Sequence, residues 1–188
     1  MIDRSGGRRV PVWDVPVRVL HWTLAAAVAM CWTTGHWPPH HFDAWHHTAG
    51  YAAAAAVALR LAWGFAGRGH ARLARFVRSP RAVLAYARAL RSAREPRHLG
   101  HNPLGGWMIV ALLLVVVGLA FTGWLYTTER FWGDETVEQV HVGLAWAILA
   151  LVAMHVAGVV VAAFRHRENL VASMLDGKKR APRGDDID

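Results

Sequence analysis

Residues 138–164 have the sequence EQVHVGLAWAILALVAMHVAGVVVAAF and decide the fold. After Glu138, no acidic or basic residue other than histidine occurs until Arg165. A helix needs roughly 20 apolar residues to cross a hydrocarbon core of about 30 Å, and this segment is long enough. Because it also contains His141 and His155, it predicts a membrane-spanning helix with imidazoles inside the membrane.

Three more segments have the same character, at about 17–37, 46–66 and 104–126. The whole chain combines 54% hydrophobic with 18% charged residues, which is typical of membrane proteins. The sequence therefore predicts an all-α membrane protein, a four-transmembrane-helix bundle. We expect one transmembrane domain at 1–170 and a cytoplasmic C-terminal tail at 171–188.

Cys31 is the only cysteine in the sequence. One cysteine excludes a disulfide framework, a thiolate metal cluster and a C-x-x-C-H site for covalent haem attachment. The first apolar segment is long, follows arginines and lacks an evident small-residue cleavage site. We therefore expect it to be a retained helix and the mature chain to begin near Met1.

Positive charge is distributed unevenly along the chain. Of 21 Lys and Arg residues, 20 lie in or beside the N-terminal segment, the 67–103 loop and the C-terminal segment. The remaining one, Arg130, lies in the 127–137 loop. The positive-inside rule then predicts that both termini and the 67–103 loop are cytoplasmic, with the 38–45 and 127–137 loops outside. Anionic lipid headgroups account for the net charge of +8 and for the arginines of the 67–103 loop, so we expect membrane lipid and no nucleic acid as a partner.

The 67–103 loop contains a further helix signal. Ser79 and Pro80 form a good helix start, and the apolar residues that follow fall on one arc with arginines opposite. This pattern predicts a cytoplasmic interfacial helix between membrane helices 2 and 3. Its apolar arc consists of Val83, Leu84, Ala87 and Leu90, opposite Arg81 and Arg88.

Tryptophans are placed as in the aromatic belts of membrane proteins. We expect an outer belt and an inner belt, one at each membrane surface. The outer belt comprises Trp37, Trp45, Trp124 and Trp132, and the inner belt Trp13, Trp22, Trp63 and Trp107.

Histidines inside the membrane helices point to a cofactor. His141 and His155 are 14 residues apart, about 21 Å along a helix, so one lies in each leaflet and both face a similar direction. His21 matches the depth of His155, and His46 matches the depth of His141. These two pairs predict two non-covalent, bis-histidine haem b groups, and filled axial positions favour electron transfer.

Some alternatives remain open at the outer site. His36 could replace His46 as the partner of His141, and His47 could be the ligand if helix 2 is rotated by about 100°. Glycines near the ligands would admit a flat macrocycle or would simply pack helices, namely Gly50, Gly118, Gly123, Gly143 and Gly158. The remaining histidines are expected to be solvated in loops, namely His40, His41, His70, His98, His101 and His166.

Several short motifs occur in a characteristic order. They are VWDVPVRVLHW (12–22), WHHTAGY (45–51), LGHNPLGGWM (99–108), TGW (122–124), VEQVHVGLAW (137–146), LVAMHVAGVV (151–160), HRENLV (166–171) and KKR (178–180). Together these motifs resemble the bacterial cytochrome b561 family, including the b-type cytochrome subunits of nickel-iron hydrogenases. The resemblance implies a four-helix, di-haem electron carrier linked to quinone.

The resemblance assigns the same four ligands. It maps them to His21 in R-x-x-H-W, to His46 in H-x-x-x-G-Y, and to His141 and His155 on the last helix. Relatives often have an acidic residue or lysine after the helix-2 ligand, whereas this chain has His47. Arg18, one turn before His21, is positioned to pair with a haem propionate or to act as a topogenic charge.

We expect this chain to transfer electrons between the quinone pool and a protein partner, either a periplasmic c-type cytochrome or a hydrogenase. Electron transfer to quinone would give it quinone oxidoreductase activity, and the sequence is compatible with a homodimer. One alternative is a superoxide:quinone oxidoreductase, which would need a cationic outer surface. Another is a histidine-based metal ion transporter, for which paired carboxylates inside the membrane would be expected.

Overall fold

The structure is a computed structural model that describes residues 8–36, 43–67, 69–184 and 186–187. Helices form most of it, and one small sheet joins residues near the two termini. In chain order the elements are β1 (Arg9–Pro11), α1 (Val15–His36), α2 (Asp43–Ala66), a 3₁₀ turn (Gly69–Ala71), α3 (Leu73–Phe76), α4 (Pro80–Arg91), α5 (Pro103–Tyr126), α6 (Glu135–His166), α7 (Leu170–Asp176) and β2 (Lys178–Arg180).

Four helices, α1, α2, α5 and α6, are long and apolar enough to cross a membrane. They confirm the predicted fold class, and each begins one to three residues before the apolar segment that predicted it. Only 6% of the most apolar part of α6 is buried inside the protein, and the buried share of the corresponding part is at most 28% in each of the four helices. Their apolar side chains therefore point mostly outward, as expected for helices surrounded by lipid.

The contacts divide the chain into two compact units. The first, called here the helical unit, consists of Val19–Ala62 and Ile109–Met154. All four long helices contribute to its core, where small residues allow the helix backbones to approach closely. The buried core residues are Ala27, Ala53, Val57, Leu113, Val116 and Ile148.

The second unit, called here the terminal unit, consists of the described parts of Met1–Arg18, Trp63–Met108 and His155–Asp188. Strands β1 and β2 pair antiparallel within it, with Val10 opposite Lys179. Gly177 ends α7 with a positive φ of 79°, and its carbonyl oxygen accepts hydrogen bonds from the backbone of the segment before α1. A side chain there would come within 2.6 Å of the Trp13 carbonyl oxygen, so only glycine fits.

A buried arginine connects the end of the chain to the rest of the terminal unit. The guanidinium of Arg97 donates to Glu168 at 2.8 Å, to Asp186 at 2.6 Å and to the carbonyl oxygen of Arg180 at 2.8 Å. Its side chain is only 4% exposed. Arg97 was expected to face lipid with the other arginines of its loop, and that prediction is wrong because two carboxylates surround it.

The described residues after 170 are structured, because α7 and β2 pack within the terminal unit. The backbone of Ile187 also exchanges hydrogen bonds with its neighbours across the unit: its N–H donates to the carbonyl oxygen of Arg97, and its own carbonyl accepts from the N–H of Leu99, both at 2.8 Å. The domain boundary at 170 stays a prediction.

Helix α4 begins where it was predicted. The hydroxyl oxygen of Ser79 accepts a hydrogen bond from the Ala82 N–H at 3.4 Å, and Pro80 occupies the first turn. Tyr86 is the side chain of this helix that is buried, whereas Leu84 is 52% exposed. The exposed Leu84 belongs to the predicted apolar arc, as an interfacial helix requires.

One further prediction about the terminal unit is wrong. Trp13 does not lie in an aromatic belt; it is 7% exposed in the unit's core, where the Lys179 Nζ lies 5.4 Å from its ring centre. His70, His98, His101 and His166 lie in loops or at the ends of helices, as predicted, and are partly buried, and the first three line one cavity. Trp37, His40 and His41 lie outside the described residues.

Candidate functional site

His46 and His141 face each other inside the helical unit. His46 lies in the first turn of α2, and His141 lies two turns into α6. Both side chains are partly buried, and their ring centres are 6.2 Å apart with an angle of 62° between the ring planes. The two imidazoles that were predicted to share one iron are therefore close together.

The spacing of these two rings fits a shared metal. Metal–imidazole bonds of about 2 Å, plus about 1 Å from each nitrogen to its ring centre, put the centres of two opposed axial imidazoles roughly 6 Å apart. The measured 6.2 Å between His46 and His141 agrees with that distance.

The ring of His141 has a hydroxyl partner on α5. The Thr122 Oγ1 donates its only proton to the carbonyl oxygen of Gly118 at 2.8 Å, and lies 2.9 Å from the Nδ1 of His141. In the tautomer that carries its proton on Nδ1, the threonine oxygen accepts a hydrogen bond from the Nδ1–H. The Nε2 of His141 is then the nitrogen with a free lone pair, which is the atom that a metal needs.

His46 has the same arrangement with a threonine of α1. The Thr34 Oγ1 donates to the carbonyl oxygen of Met30 at 2.7 Å and lies 3.2 Å from the Nδ1 of His46. The tautomer with its proton on Nδ1 again donates to the threonine oxygen and leaves Nε2 available. Two threonines on different helices thus orient the two facing imidazoles for metal binding.

Glycines leave room for both rings. A Cβ added at Gly35 would lie 3.3 Å from the Cε1 of His46, and one added at Gly123 would lie 3.3 Å from the Cε1 of His141. Both distances are tighter than ordinary contacts, so a side chain at either position would push the neighbouring ring. Gly35 was not singled out from the sequence, whereas Gly123 was among the glycines expected to admit a macrocycle or to pack helices.

The other glycines divide into open positions and packing positions. A Cβ at Gly50, Gly143 or Gly158 would meet no described atom within 4 Å, so these positions leave open space that a flat group can occupy. Gly118 instead packs against Leu144, whose Cδ1 would lie 3.1 Å from an added Cβ. Its role is the close helix packing that was the alternative expectation.

The two alternative ligands are placed differently from His46. His47 is exposed, and His36 is exposed with its ring stacked on Trp32 at 3.8 Å. The Nδ1 of His36 also lies 3.1 Å from the Trp32 carbonyl oxygen. The ring opposite His141 belongs to His46, and the geometry favours it over both alternatives.

The predicted inner ligands fall in different units, and their pairing stays a prediction. His21 belongs to the helical unit, where its ring lies edge-on to Trp22 at 5.3 Å, and His155 belongs to the terminal unit. Both are partly buried. The Arg18 Nη1 donates to the Leu175 carbonyl, and its buried Nε has no hydrogen-bond partner among the described residues.

Within the described part of the chain, no three His, Cys, Asp or Glu side chains come together as a metal-ion site. A bare metal ion bound by a protein usually needs three or four such ligands. Haem supplies four equatorial nitrogens itself and needs two axial ligands, which is what a pair of histidines provides. The pair of His46 and His141 has the number of side chains that a haem needs.

Comparison with known proteins agrees with this chemistry. The family model of prokaryotic cytochrome b561 matches residues 12–177. This chain belongs to that family. Cytochrome b561 proteins are membrane-spanning electron carriers with haem b, and the apolar helices and facing histidines of this chain suit that description.

Two curated relatives cover nearly the whole chain. The first is a probable Ni/Fe-hydrogenase B-type cytochrome subunit of Bradyrhizobium diazoefficiens, 23% identical over 95% of this chain and 89% of its own length. The second has the same description in Cupriavidus necator and is 26% identical over 88% of this chain and 85% of its own length. Both relatives are described as b-type cytochromes, as the family of this chain also is.

Sequence reasoning missed Thr34 and Thr122 as partners of this cytochrome's histidines. The signal for Thr122 is weak: it begins the TGW motif, next to Gly123. Threonines in helices usually hydrogen-bond to their own backbone, as both of these do, so their sequence positions alone did not indicate a second role.

Proposed function

We propose that this cytochrome b561 carries electrons across the bacterial inner membrane through two haem b groups. His46 and His141 would hold one, and His21 and His155 the other. The observation that carries the proposal is the 6.2 Å separation of the His46 and His141 rings, each oriented by a threonine. Haem would supply an iron that accepts and releases one electron.

The chain's own residues would hold and orient the cofactor. Two axial imidazoles leave no open iron position, which favours electron transfer over oxygen chemistry. Thr34 and Thr122 would maintain each imidazole with Nε2 free, and hydrogen bonding at Nδ1 also makes the ligand more basic. Arg18, whose Nε lacks a partner in the described structure, would pair with an inner propionate.

A hydrogenase is the protein partner that the comparisons support best. Both relatives are described as Ni/Fe-hydrogenase subunits, so we propose that a hydrogenase delivers electrons and that the chain passes them to membrane quinone. A periplasmic c-type cytochrome is the other partner that the sequence suggested. Either would meet the outer face, close to the haem of His46 and His141.

Topology is part of the proposal. We propose that both termini lie in the cytoplasm and the 127–137 loop in the periplasm, following the arginine distribution. Reporter fusions at Asp188 and within 127–137 would test this. Activity of a cytoplasmic reporter at Asp188 and of a periplasmic reporter in the loop is expected, and the reverse pattern would contradict the orientation.

Reconstitution tests the function itself. Vesicles containing the chain, quinone and the hydrogenase from neighbouring genes should show hydrogen-dependent reduction of a b-type spectrum, followed by quinone reduction. The His46→Ala variant should break this transfer, whereas the His47→Ala variant should retain it. Haem reduction by superoxide in the absence of any partner protein would instead favour the superoxide:quinone oxidoreductase.

A further inference from the structure

The terminal unit contains a basic cavity of about 370 Å³ between the segments 70–78 and 98–101. Its polar lining consists of two arginines and three histidines, namely Arg75, Arg78, His70, His98 and His101. Among the described residues no Asp or Glu lines it, and neither arginine forms an ion pair with a described carboxylate. Such a lining attracts anions.

The walls of the cavity are fixed by packing. The ring of His101 lies 4.5 Å from the buried Trp13 ring, and the ring of His70 lies 6.3 Å from it. Gly100 is pressed against His70, because an added Cβ would lie 2.7 Å from the His70 Nδ1. The histidine side of the cavity is therefore preorganised, which lowers the entropic cost of binding a ligand.

The arginine side is anchored through the backbone. The Trp107 Nε1 donates to the carbonyl oxygen of Arg78 at 2.9 Å. Burial, and then the positive charge of Arg78, lower the pKa of His98, whose Nδ1–H donates to the Pro96 carbonyl oxygen at 3.2 Å. An anion between Arg78 and His98 would also offset the repulsion between their positive charges.

The cavity also lies beside the ends of membrane helices. Helix α2 ends at Ala66, four residues before His70, and α5 begins at Pro103, two residues after His101. Helix α4, with its exposed arginines and apolar arc, begins two residues after Arg78. These short connections keep the basic lining close to headgroup depth, where the phosphates of anionic lipids are concentrated.

We propose that this cavity binds the phosphate group of an anionic lipid headgroup, with Arg75 and Arg78 as the main ligands. Guanidinium groups match phosphate oxygens by paired, charge-assisted hydrogen bonds. A quinone ring does not suit the same space, because Ala74 and Gly100 are the only apolar residues of its lining. The site is thus distinct from the haem ligands and would retain a lipid at the cytoplasmic surface.

Native mass spectrometry of the full-length protein tests the proposal. Protein taken from phosphatidylglycerol nanodiscs should retain one lipid after gentle delipidation, and protein from phosphatidylcholine nanodiscs should not. In Arg75→Gln/Arg78→Gln the affinity for phosphatidylglycerol should fall roughly 10-fold to 30-fold, because each arginine near an anionic surface contributes about 1 kcal/mol. The control Arg88→Gln/Arg91→Gln removes the same charge from α4 outside the cavity and should bind like wild type.

A second variant separates the cavity from its charge. Ala74→Trp fills the space but retains both arginines, so it should also lose the lipid while haem content and helix content stay unchanged. Equal lipid loss in the Arg88→Gln/Arg91→Gln control would show general surface attraction and overturn the proposal. Equal retention of phosphatidylcholine would also overturn it. Displacement of the lipid by inorganic phosphate at low millimolar concentration would overturn it in favour of a free phosphate site.

Discussion

The imidazole ring of His46 lies 6.2 Å from that of His141, centre to centre, and the Nδ1 of each faces a threonine hydroxyl. The two residues are far apart in sequence, and α2 and α6 bring them together in the helical unit. Their spacing fits the two ligands to one haem iron that we propose, with each Nδ1 held by a hydroxyl and each Nε2 available to the metal. Several consequences can be measured.

The register of α2 is tested by three substitutions. His46→Ala should remove one haem, because His46 is the ring opposite His141, whereas His47→Ala and His36→Ala should retain both. Haem content by the pyridine haemochrome assay gives the result. Loss of a haem in either of the latter variants, with retention in His46→Ala, would reassign the outer ligand.

Thr122 should tune the site through His141. Thr122→Val removes the oxygen that accepts from the Nδ1–H, so the haem should bind more weakly, by roughly 10-fold to 100-fold, and its reduction potential should shift. Thr122→Ser restores the hydroxyl and is the matched control. A valine variant with wild-type potential and haem affinity would show that this hydrogen bond has no role in the site.

The ion pairs of Arg97 should make the terminal unit sensitive to acid. Burial alone would raise the pKa of Glu168, but hydrogen bonds from Arg97 and from the Arg180 N–H outweigh burial and lower it. The pKa of Asp186 is lowered in the same way, because hydrogen bonds from the Arg183 N–H and from Arg97 outweigh its burial. Both carboxylates therefore stabilise the fold above their unfolded pKa values. That stability is lost as the pH falls through their folded values.

Limited proteolysis between about pH 7 and pH 3 should then release the C-terminal segment increasingly as the pH falls. Arg97→Gln should lower the free energy of unfolding of this segment by about 3–5 kcal/mol, because it leaves the carboxylates without their partner. The segment should then be cleaved already at pH 7, and the pH dependence of cleavage should become flatter. Arg94→Gln, an exposed neighbour, is the control. A pH profile of Arg97→Gln identical to wild type would contradict the assigned role.

Lys179 should add a second rise of stability with pH, in the alkaline range. Burial lowers its pKa from 10.5 to about 8, with Arg97 contributing and Glu168 opposing. Between about pH 8 and pH 10 Lys179 is protonated in the unfolded chain and neutral in the folded protein. The terminal unit should therefore gain stability as the pH rises through this range. Lys179→Met should be more stable than wild type at pH 7 and should lack this gain, as measured by proteolytic protection of β2. An unchanged gain in the methionine variant would contradict the prediction.

Acidic residues near the outer ends of α5 and α6 should influence partner exchange. Neutralising Glu129, Asp134, Glu135 and Glu138 together should slow electron exchange with the protein partner and weaken its salt dependence, while haem content stays the same. Stopped-flow kinetics at several salt concentrations provide the measurement. Unchanged exchange in this variant, with a collapse in Arg81→Gln/Arg88→Gln, would move the docking face to the cytoplasmic side.

The membrane helices could be predicted from the sequence because each is a continuous apolar segment. Asp43 and Glu135 lie in the first turns of α2 and α6, ahead of those segments, since acidic residues stabilise helix starts without being apolar. The pairing of His46 with His141 was predicted from depth, because both lie near the start of helices that run in the same direction across the membrane. Hydropathy does not define helix rotation, so His36 and His47 remained open until the rings could be located.

The terminal unit could not be predicted, because residues far apart in sequence build it. Arg97 pairs with Glu168 and Asp186, and the three-residue strands β1 and β2 are too short for an alternating pattern to be recognised. Trp13 was misplaced for the same reason: nothing in its local sequence indicates the core that encloses it. Local patterns predict membrane helices well, whereas long-range polar contacts leave no such pattern.

The haem-to-protein ratio of the purified wild-type chain tests the di-haem arrangement most directly. Two b-type haems per chain are predicted, with a ratio of one in His155→Ala and in His141→Ala, and none in the double variant, because each pair shares one iron. Protein determined by amino-acid analysis and haem by its reduced spectrum give the ratio. A wild-type ratio of one, or a His155→Ala/His141→Ala variant that retains haem, would contradict the arrangement.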